Sequence, residues 1–437
     1  MDGGILEMKR SLLLPLLLVV AILFGCTVGP SAEGAARLAT PAQRAVRGMK
    51  KDGSSIGTRA QVAEEYLVAL RSFCVRATRE GLPKGEEENA LLSPVSLYLA
   101  TAVLAGAAEG ETKEELLQAL GVEAALAESE TAKLLANMHI DDAMGKLHAA
   151  GSIWIADAFA DALDLDAIKN LADVYGVEAW RADFALASAR DQIPAWIAEQ
   201  TDGLLGRGED FSVDPKTALL LFNTVYYRDE WSNRFDRNKT APATFYNADG
   251  SQTQCEFLNA TYGIHGFSRY ENDAVGCTLS TLQLKHGAMT FILPDADCTP
   301  QQILADADAF DAIVSGRCES GVGEVVWKIP KFDYAAEAEL SQTLQAVGIS
   351  AAFDPALANF AGLLEEKAEM PLWVNGVRQQ ARISINEDGV EAAAYTQIDV
   401  SGSPMPEGRA DMILDRPFLY YISAEGALLF VGIVNRM

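Results

Sequence analysis

The chain has 437 residues, 49% of them hydrophobic, with 61 acidic against 35 basic side chains and a formal net charge of -26. That much apolar material builds a large core and excludes a wholly disordered chain. A negative field that no run of Lys or Arg interrupts excludes nucleic acid and heparin-like polyanions as partners.

In chain order, residues 1–26 read as an export signal. Lys9 and Arg10 precede an apolar run from Leu12 to Phe24, shorter than the roughly 20 residues of a membrane-spanning helix. Met8 is the better start of that signal, which makes Met1–Glu7 an upstream extension. Leu23, Phe24, Gly25 and Cys26 resemble a bacterial lipobox, in which the Cys carries lipid and becomes the mature N-terminus, although Phe24 is bulkier than the residue usual there. The expected location is extracellular, at the cell surface, anchored to a bacterial membrane through Cys26. The alternative is an ordinary cleaved signal and secretion. Residues 27–60, rich in Gly, Ala, Ser and Thr, have the composition of a flexible linker.

Residues 61–437 read as one α+β domain, because no repeat or second linker divides them. Val62, Tyr66, Leu67, Leu70, Phe73 and Cys74 fall at helical spacing, as do Leu97, Ala100, Val103 and Leu104 after a Ser93–Pro94 helix start. Leu219–Tyr227 is a long apolar run of strand type. Leu282–Leu284 and Met289–Leu293 flank a turn at His286–Gly287, and Phe418–Ile422 and Leu428–Val434 form a closing hairpin about Glu425–Gly426.

Catalytic chemistry is hard to find. The chain lacks a G-x-S-x-G elbow, an H-E-x-x-H helix and a phosphate-binding loop, and its four histidines (His139, His148, His265, His286) have no nucleophile paired to them by sequence. Without Cys26, five cysteines remain, an odd number with no metal-type spacing, so neither a disulfide framework nor a metal site is expected. No cofactor is expected, and the chain does not read as an enzyme.

One segment near the C-terminus stands out: Glu387, Asp388, Gly389, Val390, Glu391, Ala392, Ala393, Ala394, continuing through Gly402 and Ser403 to Pro404, Met405 and Pro406. Val390, Ala392, Ala394, Thr396, Ile398 and Val400 are small or apolar at alternate positions, which makes a strand with one buried face. Periodicity alone reads it as an edge strand followed by a turn.

These residues resemble the reactive-loop hinge of the serpins, and the resemblance runs in order along the domain. Asn89, Ser93, Pro94, Ser96 and Gly106 come first, then Thr112, Leu116, Leu120 and Gly121, then Trp196, Thr201 and Gly203. Asn223, Trp231, Phe235, Thr240 and Phe245 follow, then Pro330–Phe332, Leu344, Gly348 and Phe353, the hinge itself, Arg416–Phe418, Gly432 and Asn435. The resemblance implies a serpin fold with large mixed β-sheets, about eight to nine helices and an exposed reactive loop. It implies a protease inhibitor spent in a single use, whose cleaved loop enters a sheet as a new strand, hinged at Glu387–Ala394. The expected scissile region is Gly402, Ser403 and Met405. Ser93, Ser96, Asn223, Trp231 and Gln379 would line the region where the sheet opens. The family departs from this chain at Pro194, where an Asn is usual, and at Gln379, where many members carry a His. Small or apolar residues at the scissile region imply an elastase-like or subtilisin-like serine protease, or a papain-like cysteine protease, as target. A monomer is expected. The alternative is a non-inhibitory binding protein of the same fold, held at the cell surface.

Overall fold

The computed structural model describes residues 34–50, 55–83, 85, 87–206, 213–365, 371–390 and 408–437. Its strands are β1 (Ala35–Ala39), β2 (Gly48–Met49), β3 (Ser55–Ile56), β4 (Ala90–Leu92), β5 (Ile140–Asp141), β6 (Gly145–Ala156), β7 (Val177–Ala182), β8 (Leu219–Glu230), β9 (Ala241–Tyr246) and β10 (Gln252–Glu271). They continue as β11 (Gly276–Gln283), β12 (Ala288–Pro294), β13 (Glu319–Pro330), β14 (Asp333–Glu339), β15 (Val374–Ser384), β16 (Gly389–Val390), β17 (Gly408–Ile413), β18 (Phe418–Ala424) and β19 (Ala427–Val434). The α-helices are α1 (Glu64–Gly81), α2 (Pro94–Ala107), α3 (Gly110–Leu120), α4 (Ala124–Asn137), α5 (Leu165–Tyr175), α6 (Ala187–Gln200), α7 (Pro300–Ala305), α8 (Ala309–Val314) and α9 (Ser341–Ala346).

Two large sheets carry the fold. The first has the order β1-β7-β6-β8-β15-β14, and the second β17-β13-β10-β11-β12-β18-β19-β4. In the first, β8 runs antiparallel to β6 and parallel to β15. Every residue from Leu219 to Tyr227 is buried, which explains the long, mostly apolar run: β8 is a central strand covered on both faces. One covering layer contains α2, whose helical residues are buried all round except Gly106. The other is built on α6, where Trp196 and Ile193 pack with Phe222 of β8 and Trp154 of β6, and Trp154 stacks on Trp180 at 4.9 Å.

The predicted elements hold locally for clear reasons. Tyr66, Leu70, Phe73 and Cys74 are the buried stripe of α1. Pro94 occupies the first position of α2, where its missing N–H costs nothing. The last hairpin turns at Glu425 (φ 54°) and Gly426 (φ 83°), the left-handed pair that a two-residue hairpin turn requires.

Residues 27–60 are not a free linker throughout. β1 pairs antiparallel with β7, Arg37 lies 4.5 Å over the Trp180 ring, and Arg47 donates to the Asn137 carbonyl at 2.7 Å. Small residues carry little side-chain signal, but a sheet edge offers unpaired backbone groups, and those recruit a strand whatever its side chains. The five cysteines of the domain are free: Cys74 and Cys277 are buried, while Cys255, Cys298 and Cys318 are only half-buried.

Candidate functional site

The site begins where two neighbouring strands part. β8 and β15 pair from Leu219–Val374 up to Asn223–Gln379, and beyond that point no further pair joins them among the described residues, although both strands run on. Just past the last pair, the buried Thr224 hydroxyl has no hydrogen-bond partner. The chain leaves β15 and reverses at Asn386–Asp388, where the Asn386 side chain accepts from the Asp388 amide at 2.9 Å. It then enters the mouth of the gap as β16. Gly389 pairs with Glu230 and Val390 with Asp229, antiparallel to β8, and Val390 also bridges to Ile385.

Only glycine fits at the turn-in, because a Cβ on Gly389 would lie 2.2 Å from the Asp229 carbonyl oxygen. The apolar residue that follows, Val390, is buried. Gly389 and Val390, which the resemblance places in the exposed reactive loop, are therefore buried and paired with β8, and Glu387 and Asp388 before them are buried as well. Gly408–Ile413 is strand β17, parallel to β13 with Ala410 and Met412 inward. Glu391, Ala392, Ala393, Ala394, Gly402, Ser403 and Met405 lie outside the described residues, as does Cys26.

The turn is held by groups that sequence reading brought in only partly. The Trp231 amide donates to the Asp388 carbonyl and its indole N–H to the Asn386 carbonyl, each at 3.0 Å, and the Phe235 amide donates to the Glu387 carbonyl at 3.0 Å. The Thr240 hydroxyl donates to Glu387 at 2.8 Å and Lys331 lies 3.3 Å from the same oxygen. Burial works to raise the Glu387 carboxyl, but hydrogen bonds from its own backbone amide, Thr240 and Lys331 outweigh it and hold the group below its ordinary range. Asp388 pairs with Arg237 and, at 3.5 Å, with Arg234, which also holds Glu230 at 2.6 Å. Arg234 and Arg237 were not anticipated. Their shared partner Asp388 is about 150 positions away along the chain, and no local periodicity reports a pair at that separation.

At the closed end of the gap, Gln379 ties β15 to the start of α2. Its Oε1 accepts from the Ser93 amide at 2.7 Å, and its Nε2 donates to the Ser93 carbonyl at 2.9 Å and to the Ser96 hydroxyl. Asn223 donates to the Ser96 carbonyl at 2.8 Å. Ser93, Ser96, Asn223 and Gln379 thus converge at one buried point, while Trp231 stands at the other end, beside the hinge.

The partners of His286, whose side chain is largely shielded from solvent, were not anticipated either. His286, in the β11–β12 turn, places Nδ1 2.8 Å from Asp229 and Nε2 2.8 Å from Asp142, and its amide donates to Asp229 at 2.7 Å. Asp229 is the residue whose backbone pairs with Val390. Burial lowers the His286 pKa, yet the two carboxylates outweigh it and the value ends raised. Burial likewise works to raise Asp142, but the Met49 and Met144 amides and His286 bring it below its ordinary value. Among the described residues no group of His, Cys, Asp and Glu is placed to hold a metal ion.

Against known proteins, a family model described as serpin (serine protease inhibitor) matches residues 68–437. Serpin-Z1C of Triticum aestivum is 29% identical over 405 residues, covering 86% of this chain and 96% of its own length. Among solved structures, the thermophilic serpin Tengpin in its native state aligns with a TM-score of 0.75 at 21% identity, over 92% of this chain and all of that one. AtSerpin1 of Arabidopsis in its native stressed conformation aligns at 0.72, also with 21% identity, over 86% of this chain and 99% of that one.

Proposed function

The chain belongs to the serpin family, and from that premise we propose that it inhibits a protease as a single-use substrate. Members of this family are typically protease inhibitors rather than enzymes. One observation carries the finer reading: β8 and β15 stop pairing at Asn223–Gln379, and the chain that leads into the loop already occupies the mouth of that gap, antiparallel to β8. A strand continuing from Val390 would exchange a short parallel ladder for two antiparallel ones, which pair better per residue. Roughly twelve new backbone hydrogen bonds at about 1 kcal/mol each give a drive on the order of 10 kcal/mol. The intact fold is then a kinetic trap.

In the proposed sequence of events, the protease nucleophile attacks a carbonyl in the loop, the peptide bond breaks, and the new amine leaves on the C-terminal piece. The N-terminal piece, esterified or thioesterified to the protease, inserts before water hydrolyses the acyl bond. Family spacing from Glu387 puts the cut after Ser403. Pro404 would then follow it, which favours Gly402–Ser403; Met405 stays in the scissile region because the loop toward Arg416 is a few residues longer than is common, although Pro406 follows it as well. An elastase-like or subtilisin-like serine protease, or a papain-like cysteine protease, fits these small and apolar residues. The molecule acts as a monomer at a bacterial cell surface, anchored by a lipid on Cys26.

Incubation with subtilisin, pancreatic elastase, papain and trypsin tests the mechanism. The expected result is a complex resistant to denaturing electrophoresis and a released C-terminal peptide whose mass locates the cut between Gly402 and Met405. Cleavage by every protease without a stable complex would overturn the inhibitor reading. The anchor is tested separately: wild type should partition with membranes, and Cys26→Ser should not.

A non-inhibitory binding protein is the second reading. It is favoured by a cleft of about 730 Å³ between the β2–β3 hairpin, Arg71 of α1 and the turns at Lys285–Gly287 and Glu425–Gly426, a volume suited to a small ligand.

A further inference from the structure

Among the described residues, four large apolar side chains are more than half exposed, and two of them, Ile264 (57%) and Val322 (52%), stand together. They lie on the ribbon of β10 and β13, where Val322 is opposite Gly266 and a bulge falls between Tyr262 and His265. Residues opposite one another share a face, as do residues two apart, so Ile264, Gly266 and Val322 form one outward surface. A side chain at Gly266 would meet nothing within 4 Å, so the described chain leaves this surface uncovered. The inward side is tied down, with His265 bonded to the Thr281 carbonyl at 3.0 Å and its ring set edge-on to Trp327. The patch is therefore rigid as well as open.

The same end of the ribbon receives the distal end of the loop. β17 starts at Gly408, opposite Gly323. The approach is so close that a Cβ on Gly323 would lie 1.7 Å from the Gly408 carbonyl oxygen, and one on Gly408 would lie 2.6 Å from that of Val322. The chain entering β17 is thus pinned against the Val322–Gly323 peptide. From there the candidate scissile residues Gly402, Ser403 and Met405 are at most six residues away, a reach of no more than about 20 Å. A stable protein–protein interface occupies about 800 Å² on each partner, a footprint broader than an extended strand. A protease gripping the loop therefore also covers the ribbon end. Beside the patch, Arg409 is shared between Glu324 and Asp411, two carboxylates to one guanidinium.

We propose that Ile264 and Val322 form a secondary contact for the target protease, one whose surface on the leaving-group side of its cleft carries an apolar patch rimmed by basic residues. This rests on the inhibitory reading, and the experiment keeps the two apart. Second-order association rate constants and stoichiometries are measured for every protease that the wild type traps, using Ile264→Asp, Val322→Asp and the milder Ile264→Ser and Val322→Thr. Leu357→Asp, exposed at a distance along the chain, is the control.

For at least one trapped protease, each Asp variant should associate about 10-fold more slowly and the milder pair should fall between, since apolar contacts at interface centres carry effects of this size. Stoichiometry and melting temperature should stay at wild-type values, and Leu357→Asp should associate normally. Rates within about twofold of wild type for all trapped proteases would overturn the contact and leave inhibition standing. Failure of the wild type to trap any protease would remove both.

Discussion

At the scale of single residues, the gap between β8 and β15 is governed by two buried polar knots. Gln379 bonds both backbone groups of Ser93 and the hydroxyl of Ser96; the Ser93 carbonyl also accepts from the Ser96 hydroxyl, so Gln379→Ala leaves the buried Ser93 amide unmatched, at a cost of about 1–3 kcal/mol. A lower midpoint in denaturant than wild type is the expected outcome, and an unchanged midpoint would show that water replaces the side chain without penalty. The second knot is His286 between Asp142 and Asp229. Because its folded pKa is raised, its contribution to stability is complete below the ordinary imidazole value of about 6.5 and is lost as pH rises through the folded value. Asp142, with its pKa lowered, contributes above about 3.8 and loses that contribution as pH falls through its folded value. The cluster is therefore strongest between about pH 4 and 6.5. The melting temperature of wild type should exceed that of His286→Gln most at pH 6, with the difference shrinking toward pH 8. Two parallel curves would contradict the assignment.

At the scale of elements, β16 sets the phase of anything that follows it into the sheet. Val390 faces inward and is buried, so alternation assigns Ala392 to the interior and Ala393 to the outer face of an inserted strand. Ala392→Arg should bury an unpaired charge, at a cost of several kcal/mol, delay insertion beyond hydrolysis of the acyl bond, and leave the protein a plain substrate. Ala393→Arg should keep trapping the same protease. Loop-cleaved wild type should melt well above the intact form, because a completed sheet replaces an interrupted one. Equal inhibition by both variants, or an unchanged melting temperature on cleavage, would sink the insertion mechanism.

For the whole molecule, a formal charge of -26 acts on encounter more than on the fold. Association with a basic protease should slow by about 3- to 10-fold as NaCl rises from roughly 0.05 to 0.5 M, while the stoichiometry of inhibition stays constant. A flat salt profile with a basic protease would show that the loop and the patch beside it decide association without long-range steering.

Local order in the chain was enough to determine much of this protein. The stripe Tyr66–Cys74, the Ser93–Pro94 helix start, the long buried run Leu219–Tyr227 and the two late hairpins were all legible, because helix periodicity, strand alternation and turn chemistry are written within a few neighbouring residues; the Glu387–Ala394 hinge was pointed to by the family resemblance, since its alternation alone reads as an edge strand. The segment at Ala35–Ala39 was misread for the same reason: its strand is recruited by the backbone edge of β7, about 140 positions away. Tertiary structure alone decided that β8 and β15 part at Asn223–Gln379, that Gly389 and Val390 already sit in the gap, and that His286 joins Asp142 to Asp229. It also brought Arg234, Arg237 and Lys331 to the hinge, and Ile264 and Val322 beside its distal anchor. Each of these is a meeting of residues far apart in the chain, fixed by desolvation and charge pairing that exist only once the sheets have assembled.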